Sequence, residues 1–513
     1  MSGLDPTFVD LPYRALGDAA LSRARALGVS HADFRFERVR YQSLSVRDGV
    51  LQNASDTEDL GFAVRVIHRG SWGFASGVVL TPEEAVRVAE TAVAVATVAA
   101  DMTSTPVEIA GEPVYDDVTW VSAYEINPLQ VPVAEKAALL IDWTQRLRRG
   151  AAVDHARAFC EQVQENKYYT DLAGTTTTQQ RVRMMPGFEA MGAGADTFDS
   201  MASIAPPVGR GWEYLRGPAE GGIHDWDAEI EQVPELLAEK LTSPSVVAGT
   251  YDLVIHPSNL WLTIHESIGH ATELDRALGY EANYAGTSFA TPDLLGNLQY
   301  GSPVMHVTGD RTVEHGLATV GFDDEGVQTQ SWDIVRDGLF VGYQLDRPMG
   351  VMLPELNQLD GNGRSNGCAY ADSPGHIPIQ RMANVSLQPS TAPDGGPSTE
   401  DLIGRVDDGL YVVGDKSWSI DMQRFNFQFT GQRFYKITNG ELVGQVRDVA
   451  YQATTTDFWR SMEAVGGPDT WELGGAFNCG KAQPGQVAAV SHGCPTSLFR
   501  DVRILNTLEE GSA

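Results

Sequence analysis

The segment His265–His270 (H-E-S-I-G-H) constrains this chain more than any other, because it places two imidazoles and a carboxylate within one or two helical turns. Neutral imidazoles are common zinc ligands, and a neighbouring carboxylate can accept a proton from water bound to the metal. The segment therefore predicts a hydrolytic zinc site carried by a helix. The alternative is a partly buried helix in which two of the 11 histidines lie close together by chance.

The spacing of the two histidines has a structural consequence. Residues five apart on an ideal α-helix diverge by about 140°, so both imidazoles could not reach one ion without distortion. A π-type turn, or a helix that opens at Gly269, would bring them together, and π-bulges are frequent at functional sites. We therefore expect a local departure from α-helical geometry between His265 and His270.

A catalytic zinc site needs a third protein ligand and leaves one position for water. The best candidate is Cys479, in the glycine-rich stretch Gly474–Lys481, which we expect to be a loop. Lys481 lies two residues further on, and a nearby cation would favour the thiolate. Cys494 is the rival ligand, and either cysteine could instead be a buried packing residue.

Glu266 is the candidate general base, as in other zinc hydrolases that contain the His-Glu pair. Its alternative role is an ordinary exposed helix residue. Glu273 and Asp275 follow the second histidine at helical spacing. They could accept hydrogen bonds from the ligating imidazoles, or they could belong to a solvated helix face.

A second acidic segment, Asp323-Asp324-Glu325, precedes Gly326 and reads as a turn. It could position substrate. The alternative, a plain surface turn, is slightly favoured by the residues themselves.

Composition narrows the class of protein. The 513 residues suggest two or three domains, and 37 basic against 68 acidic residues give a formal charge of −31. Such an acidic chain is a poor candidate for binding nucleic acid or anionic membranes. No apolar run reaches membrane-spanning length, the first ten residues do not resemble a signal peptide, and four widely spaced cysteines do not suggest a disulfide framework. We expect a cytoplasmic protein.

The pattern of elements predicts an α+β protein. We expect a mixed α/β N-terminal domain over residues 1–222 and a strand-rich C-terminal domain over residues 223–513 that carries the metal-motif helix. Helices are predicted over 14–28, 81–100, 132–149 and 225–242, with a strand, helix, strand alternation up to about residue 200 and a loop or linker at Pro206–Gly222. Hairpin turns are predicted at Asp48-Gly49, Arg69-Gly70, Asp337-Gly338, Asp408-Gly409 and Asn439-Gly440. The alternating Phe425, Phe427 and Phe429 should line one face of a strand.

With these residues in view, the chain closely resembles the TldD/PmbA family of zinc peptidases, and the TldD branch in particular. His265–Asp275 is similar to the H-E-x-x-x-H-x-x-E-x-D motif of that branch. Further similar segments, in the same order along nearly the whole chain, are Gly61–Val66, Gly73–Ser76, Gly286–Ser288, Phe322–Gly326, Gly361–Arg364, Arg381–Asn384 and Cys479–Lys481.

The resemblance implies that His265, His270 and Cys479 ligate one zinc ion and that Glu266 is the catalytic base. It implies cleavage of unfolded or extended peptides, including peptide precursors, in a cleft near a subunit interface. It also implies a partner: a PmbA/TldE-like homologous subunit in a heterodimer, or a second copy in a homodimer. Because the PmbA branch lacks the metal motif, this chain resembles the active subunit; the alternative is a non-catalytic scaffold subunit.

The chain departs from the family pattern at two positions. Ser365 follows Arg364 where the family usually has a second arginine, so we expect the fine substrate contacts to differ from those of the family. Cys494 stands where a glycine is expected, which leaves a thiol that could compete for the metal.

Two other classes of protein have weaker signals. Gly286–Pro292 looks like the nucleophile segment of subtilisin-like proteases, with His315 as the partner of Ser288, but subtilisins place the histidine before the serine. Two histidines, a cysteine and a nearby methionine could also make an electron-transfer copper site, in which Glu266 would have no purpose.

Overall fold

The computed structural model describes residues 3–195, 197–353, 363–483 and 485–510. The N-terminal part has one seven-stranded sheet in the order β3-β2-β1-β5-β6-β4, with β7 added to β6; only the β4–β6 pair is parallel. Its strands are β1 (His31–Arg47), β2 (Val50–His68), β3 (Ser71–Gly77), β4 (Val118–Val121), β5 (His155–Asp171), β6 (Thr176–Ala193) and β7 (Phe198–Ala202). Its helices are α1 (Pro6–Val9), α2 (Tyr13–Ala26), α3 (Pro82–Ala100), α4 (Val133–Leu147) and α5 (Trp226–Thr242).

Helices α2 to α5 form where the sequence predicts helices over 14–28, 81–100, 132–149 and 225–242, and α3 illustrates the cause. Its N-cap Thr81 accepts a hydrogen bond from the Glu84 N–H at 3.3 Å, Pro82 opens the first turn, and two acids favour the helix N-terminus. Its buried alanines and valines pack with α2 on the sheet.

The two faces of the N-terminal sheet differ. Phe34 and Phe36 of β1 lie in the core under α2 and α3. The alternate residues on the same strand, Asp33, Arg35 and Glu37, are buried and charged, and Arg35 donates to the carbonyls of residues 373 and 376. The polar face of the sheet is thus the face that contacts the C-terminal part.

The C-terminal part is built on a second seven-stranded sheet in the order β15-β8-β22-β18-β16-β17, with β19 added to β22. Because β15 also pairs with β16, five of its strands close into a ring around a large apolar core. The strands are β8 (Gly249–Ile255), β15 (Asp408–Ile420), β16 (Asn426–Thr438), β17 (Glu441–Val446), β18 (Val449–Thr454), β19 (Met462–Val465) and β22 (Ser497–Asn506).

Smaller sheets complete this part. Their strands are β9 (Val307–Asp310), β10 (Ser331–Arg336), β11 (Leu339–Phe340), β12 (Ala369–Tyr370), β13 (Ile379–Gln380), β14 (Asn384–Leu387), β20 (Glu472–Lys481) and β21 (Gln486–Cys494). They form a four-stranded sheet in the order β11-β10-β9-β14, a β12–β13 pair and a β20–β21 hairpin. The helices are α6 (Pro257–Ile264), α7 (Leu274–Ala277), α8 (Arg347–Gly350), α9 (Thr399–Ile403), α10 (Thr455–Arg460) and α11 (Thr507–Glu510). Among the described residues, no helix combines the length and apolar character needed to cross a membrane.

The predicted fold class is confirmed: a mixed α/β N-terminal part precedes a strand-rich C-terminal part that carries the motif helix. The boundary between residues 222 and 223 stays a prediction. Helix α5, which follows that boundary, packs its Trp226, Ile230 and Leu237 into the N-terminal core. The loop at Pro206–Gly222 also contributes Val208 and Tyr214 to that core.

Two local predictions were wrong. Among the described residues up to 200, no helix lies between β5 and β7, because β5 and β6 pair with each other as a long antiparallel hairpin. Asp408-Gly409 begins β15 instead of forming a turn. A Cβ on Gly409 would lie 2.5 Å from the Asp252 carbonyl of neighbouring β8, so this glycine permits close strand approach.

Candidate metal centre and active site

The predicted departure from α-helical geometry at the motif is confirmed. Helix α6 continues into a π-helical turn over His265–Gly269, in which the His270 N–H donates to the His265 carbonyl at 3.0 Å. Gln344 donates to the Gly269 carbonyl at 2.7 Å, which satisfies an acceptor within the turn. A Cβ at position 269 would lie 2.5 Å from the Met382 sulfur, so any larger residue here would displace that side chain.

The turn brings the three predicted ligand side chains together. One ligand atom from each of His265, His270 and Cys479 lies within 4.8 Å of the others, and all three residues are buried. The His270 Nε2 and the Cys479 Sγ are 3.6 Å apart. Ligand atoms bound at ordinary zinc distances lie about 3–4 Å from one another in a tetrahedral site. The donor set of two imidazoles and one thiol therefore fits zinc in chemistry and in spacing.

Cys479 reaches this position from β20, and the expectation of a loop was wrong. The β20–β21 hairpin runs beside α6. Cys494, the rival ligand, lies elsewhere: its Sγ is 3.7 Å from the Pro257 carbonyl, and it is not part of the cluster found among the described residues.

Hydrogen bonds select the tautomer of both histidines. The His492 Nδ1 donates to the Val385 carbonyl at 2.8 Å, so its Nε2 is free to accept from the His265 Nδ1 at 2.7 Å. The His270 Nδ1 donates to a Glu273 carboxylate oxygen at 2.8 Å. Each of these bonds selects the tautomer that carries its proton on Nδ1. The Nε2 of His265 and of His270 then keeps a free lone pair, with which it can bind a metal ion.

Electrostatics favour the same protonation states. Burial lowers the pKa of both His265 and His270, so both imidazoles are neutral near pH 7. Burial alone would raise the pKa of the Cys479 thiol, but its contact with His270 and the charge of Arg381 bring that pKa below its usual value. These pKa shifts favour the protonation states in which His265, His270 and Cys479 can bind a metal ion.

A buried ion network supports Glu273. Lys481 contacts Glu273 at 3.0 Å and Asp275 at 2.7 Å, and it also donates to both oxygens of Gln380. Glu273 thus meets His270 as predicted, whereas Asp275 meets the lysine. Both carboxylates are buried, so the solvated-face alternative was wrong. Lys481 pairs with these acids, and the pKa of Cys479 is lowered first by His270 and then by Arg381.

Glu266 is buried beside the cluster and forms an ion pair with Arg424, whose Nη1 lies 2.5 Å from the Glu266 Oε2. The sequence prediction missed Arg424 and His492. For His492, the available signal was a histidine within strand β21, whose other residues carry no charge. Arg424 offered none, because its proximity to Glu266 depends on how two distant segments pack.

The acidic turn is not a plain surface turn. Asp324 pairs with Lys167 at 2.7 Å and Glu325 with Arg65 at 2.8 Å, so the turn joins the C-terminal part to the charged face of the N-terminal sheet. The carboxylate of Asp323, also buried, accepts N–H groups within the turn.

Arg364 contacts Glu112, with its Nε 2.8 Å from a carboxylate oxygen. Gly361 and Asn362 of its motif lie outside the described residues. A substrate role for Arg364 or for Asp323, Asp324 and Glu325 stays a prediction.

The serine-protease alternative has no support in the geometry. The Ser288 hydroxyl donates to the Ala271 carbonyl at 2.6 Å, and the His315 Nδ1 lies 3.3 Å from the Gly209 carbonyl. Within the described ranges, no hydrogen bond joins Ser288 to a histidine side chain.

Known proteins share this architecture. Residues 248–506, half of the chain, match the family model described as PmbA/TldA metallopeptidase C-terminal domain, and residues 32–96 match PmbA/TldA metallopeptidase domain 1. A protein of Methanothermobacter thermautotrophicus named metalloprotease is 26% identical over 94% of this chain and 96% of its own length. One from Saccharolobus solfataricus named zinc metalloprotease TldD homolog is 20% identical over 94% of this chain and 98% of its own length.

Solved structures agree on the fold. A Thermotoga maritima protein described as a candidate modulator of a DNA gyrase has a TM-score of 0.73 at 17% identity, covering 96% of this chain and 100% of its own. TldE from Thermococcus kodakarensis has a TM-score of 0.64 at 16% identity, covering 95% and 99% respectively. The family-model match over half of the chain shows that this protein belongs to the PmbA/TldD metallopeptidase family.

Proposed function

We propose that this protein is a zinc-dependent peptidase that binds one zinc ion per chain through His265, His270 and Cys479 and uses Glu266 as its general base. The observation that carries the proposal is the convergence of three neutral or acidic ligand groups within 4.8 Å of one another, next to a buried carboxylate. The family membership of the chain and the name of its Saccharolobus relative support zinc peptidase chemistry.

Each side chain has a distinct role in hydrolysis. Zinc would supply Lewis acidity, which polarises the scissile carbonyl and makes water a stronger acid. Glu266 accepts the proton of the attacking water and passes it to the leaving amine. His492 and Glu273 hold the two ligand imidazoles in the required tautomer and orientation.

The proposed substrates are unfolded or extended peptides, including peptide precursors that are trimmed. Strand β20 carries Cys479, whose carbonyl itself accepts from Arg381. Among the described strands, β20 pairs only with β21, and we propose that its other edge accepts a peptide main chain. Pairing of this kind gives affinity through backbone hydrogen bonds and little side-chain selectivity.

We further propose that the protein works with a second subunit, a TldE-like homologue or another copy of itself. The likeness to TldE supports a family assembly of related chains.

We place the protein in the cytoplasm, because all four cysteines are unpaired, as expected in a reducing compartment.

The test compares wild-type protein with Glu266→Gln in zinc content and in cleavage of unfolded casein, alone and with a co-expressed homologous subunit. We expect equal zinc in both proteins and a loss of at least about a hundredfold in rate for the variant. Ser288→Ala tests the serine-protease alternative, and it should retain activity well above that of Glu266→Gln. Zinc-loaded wild-type protein that cleaves nothing under either condition would instead support a non-catalytic scaffold subunit.

A further inference from the structure

Arg424 occupies an unusual backbone position beside the proposed base. It lies in the turn between β15 and β16 with φ of 63°, a left-handed conformation that side-chain-bearing residues rarely adopt. The Asp421 carboxylate holds this turn by accepting N–H groups from Gln423, Phe425 and Asn426 at 2.8–3.1 Å. Backbone strain of this kind persists only where the surrounding structure enforces it, and it is concentrated at functional sites.

Neighbouring segments fix the turn from both sides. The N–H groups of Thr287 and Phe289 donate to the carbonyls of Met422 and Gln423 at 2.8 and 2.9 Å. The Thr455 hydroxyl donates to the Arg424 carbonyl at 2.7 Å. The guanidinium is therefore carried by an anchored turn.

The contact with Glu266 is one-sided. The Arg424 Nη1 reaches the Glu266 Oε2 at 2.5 Å, and both side chains are buried to at least 86%. The Glu266 Oε1 accepts no hydrogen bond from the residues that the structure describes. A charge-assisted hydrogen bond thus restrains one oxygen of the carboxylate and leaves the other available.

We propose that Arg424 is a positioning residue for the general base. Its guanidinium donates a hydrogen bond to the Glu266 Oε2 and so orients Oε1 toward the attacking water. This inference rests on the proposed peptidase function. The strained turn would thus orient the catalytic base, a role that is separate from binding of the zinc by His265, His270 and Cys479.

The test uses Arg424→Ala in the casein cleavage assay. Misplacement of a reacting group by about 1 Å can cost about a hundredfold in rate, so we expect kcat to fall by about tenfold to a hundredfold with KM unchanged. Zinc content and the zinc dissociation constant should stay at wild-type values. Added guanidinium ion at sub-denaturing concentration should restore part of the lost kcat, because it can occupy the vacated position.

Two further variants complete the test. Arg460→Ala removes an exposed arginine that donates to the Gln299 carbonyl, and it should show neither the loss nor the guanidinium response. If Arg424→Ala lowers the melting temperature, Arg424→Gln keeps a polar side chain that is shorter and uncharged, and it provides the same comparison. In a Glu266→Gln background, removal of Arg424 should cause no further loss.

The outcomes separate this inference from the peptidase proposal. Wild-type kcat in both Arg424 variants, or a defect confined to KM or to zinc content, would overturn the positioning role. A Glu266→Gln variant as active as the wild type would overturn the peptidase mechanism itself. Loss of kcat with guanidinium rescue, and without loss of zinc, supports the role.

Discussion

Replacing His492 by phenylalanine removes one hydrogen-bond acceptor from the metal centre and preserves an aromatic ring of similar size. In the wild-type protein, His492 accepts from the His265 Nδ1 at 2.7 Å and donates to the Val385 carbonyl at 2.8 Å. Phenylalanine can do neither. The His265 imidazole then has no partner that selects its Nδ1-protonated tautomer, and the metal-free protein can relax to the tautomer that cannot present Nε2 to zinc.

The expected cost follows from burial of both rings. A buried donor without an acceptor costs about 1–3 kcal/mol. Loss of a hydrogen bond to a metal-ligating histidine typically weakens metal affinity by about tenfold to a hundredfold, or about 1.4–2.7 kcal/mol. The two ranges agree, so we expect the zinc dissociation constant of His492→Phe to rise by about tenfold to a hundredfold.

Competition with a chromophoric chelator, at fixed pH and starting from metal-free protein, measures this change. His492→Gln is the matched control, because its amide oxygen can occupy the position of the His492 Nε2 and accept the same hydrogen bond. It should bind zinc much more tightly than His492→Phe. Wild-type affinity in His492→Phe, or equal weakening in both variants, would refute the tautomer argument.

The buried ion network and a remote carboxyl give two further predictions. Lys481→Met removes the cation shared by Glu273 and Asp275 and leaves Arg276, 3.5 Å from Glu273, as the remaining cation. Urea unfolding of the metal-free protein should therefore show a loss of about 3 kcal/mol, the low end for a broken buried pair. Lys436→Met, at a half-buried lysine paired with the exposed Asp408, should lose much less; equal stability of the two variants would contradict the network's importance. Burial raises the pKa of Asp415 from 3.8 to about 6, despite a hydrogen bond from Trp261. The folded state therefore binds more protons than the unfolded state between these values, and this contribution to stability is lost as pH rises through 6. Wild-type stability relative to Asp415→Asn should fall from pH 4 to pH 6, and a constant difference would show that the carboxyl is not perturbed.

The sequence predicted those parts of the fold that depend on short-range patterns. Hairpins at Asp48-Gly49, Arg69-Gly70, Asp337-Gly338 and Asn439-Gly440 were confirmed, because such pairs adopt the positive φ angles of tight turns. Asp408-Gly409 was misread because the same dipeptide also suits a close approach of two strands, which no local pattern reveals. Phe427 and Phe429 are buried on β16 as the alternation predicted, whereas Phe425 lies in the turn before that strand, so the prediction was wrong for this residue.

At the candidate site, too, the sequence predicted local geometry but not contacts between residues far apart in the chain. The spacing of His265 and His270 predicted the π-helical turn, because ligation geometry and helix geometry are both local. The contacts of Arg424 with Glu266 and of His492 with His265 span 158 and 227 residues of chain, so only tertiary packing creates them. The burial of Asp324 and Glu325 was likewise missed, because their cations lie on the N-terminal sheet.

Zinc-edge anomalous diffraction from crystals of the zinc-loaded protein shows whether His265, His270 and Cys479 hold the metal. We expect one strong peak per chain, about 2.0–2.1 Å from the Nε2 atoms of His265 and His270 and about 2.3 Å from the Cys479 Sγ. A peak ligated through Cys494 or through the Nδ1 atoms, or no peak at this cluster, would contradict this expectation.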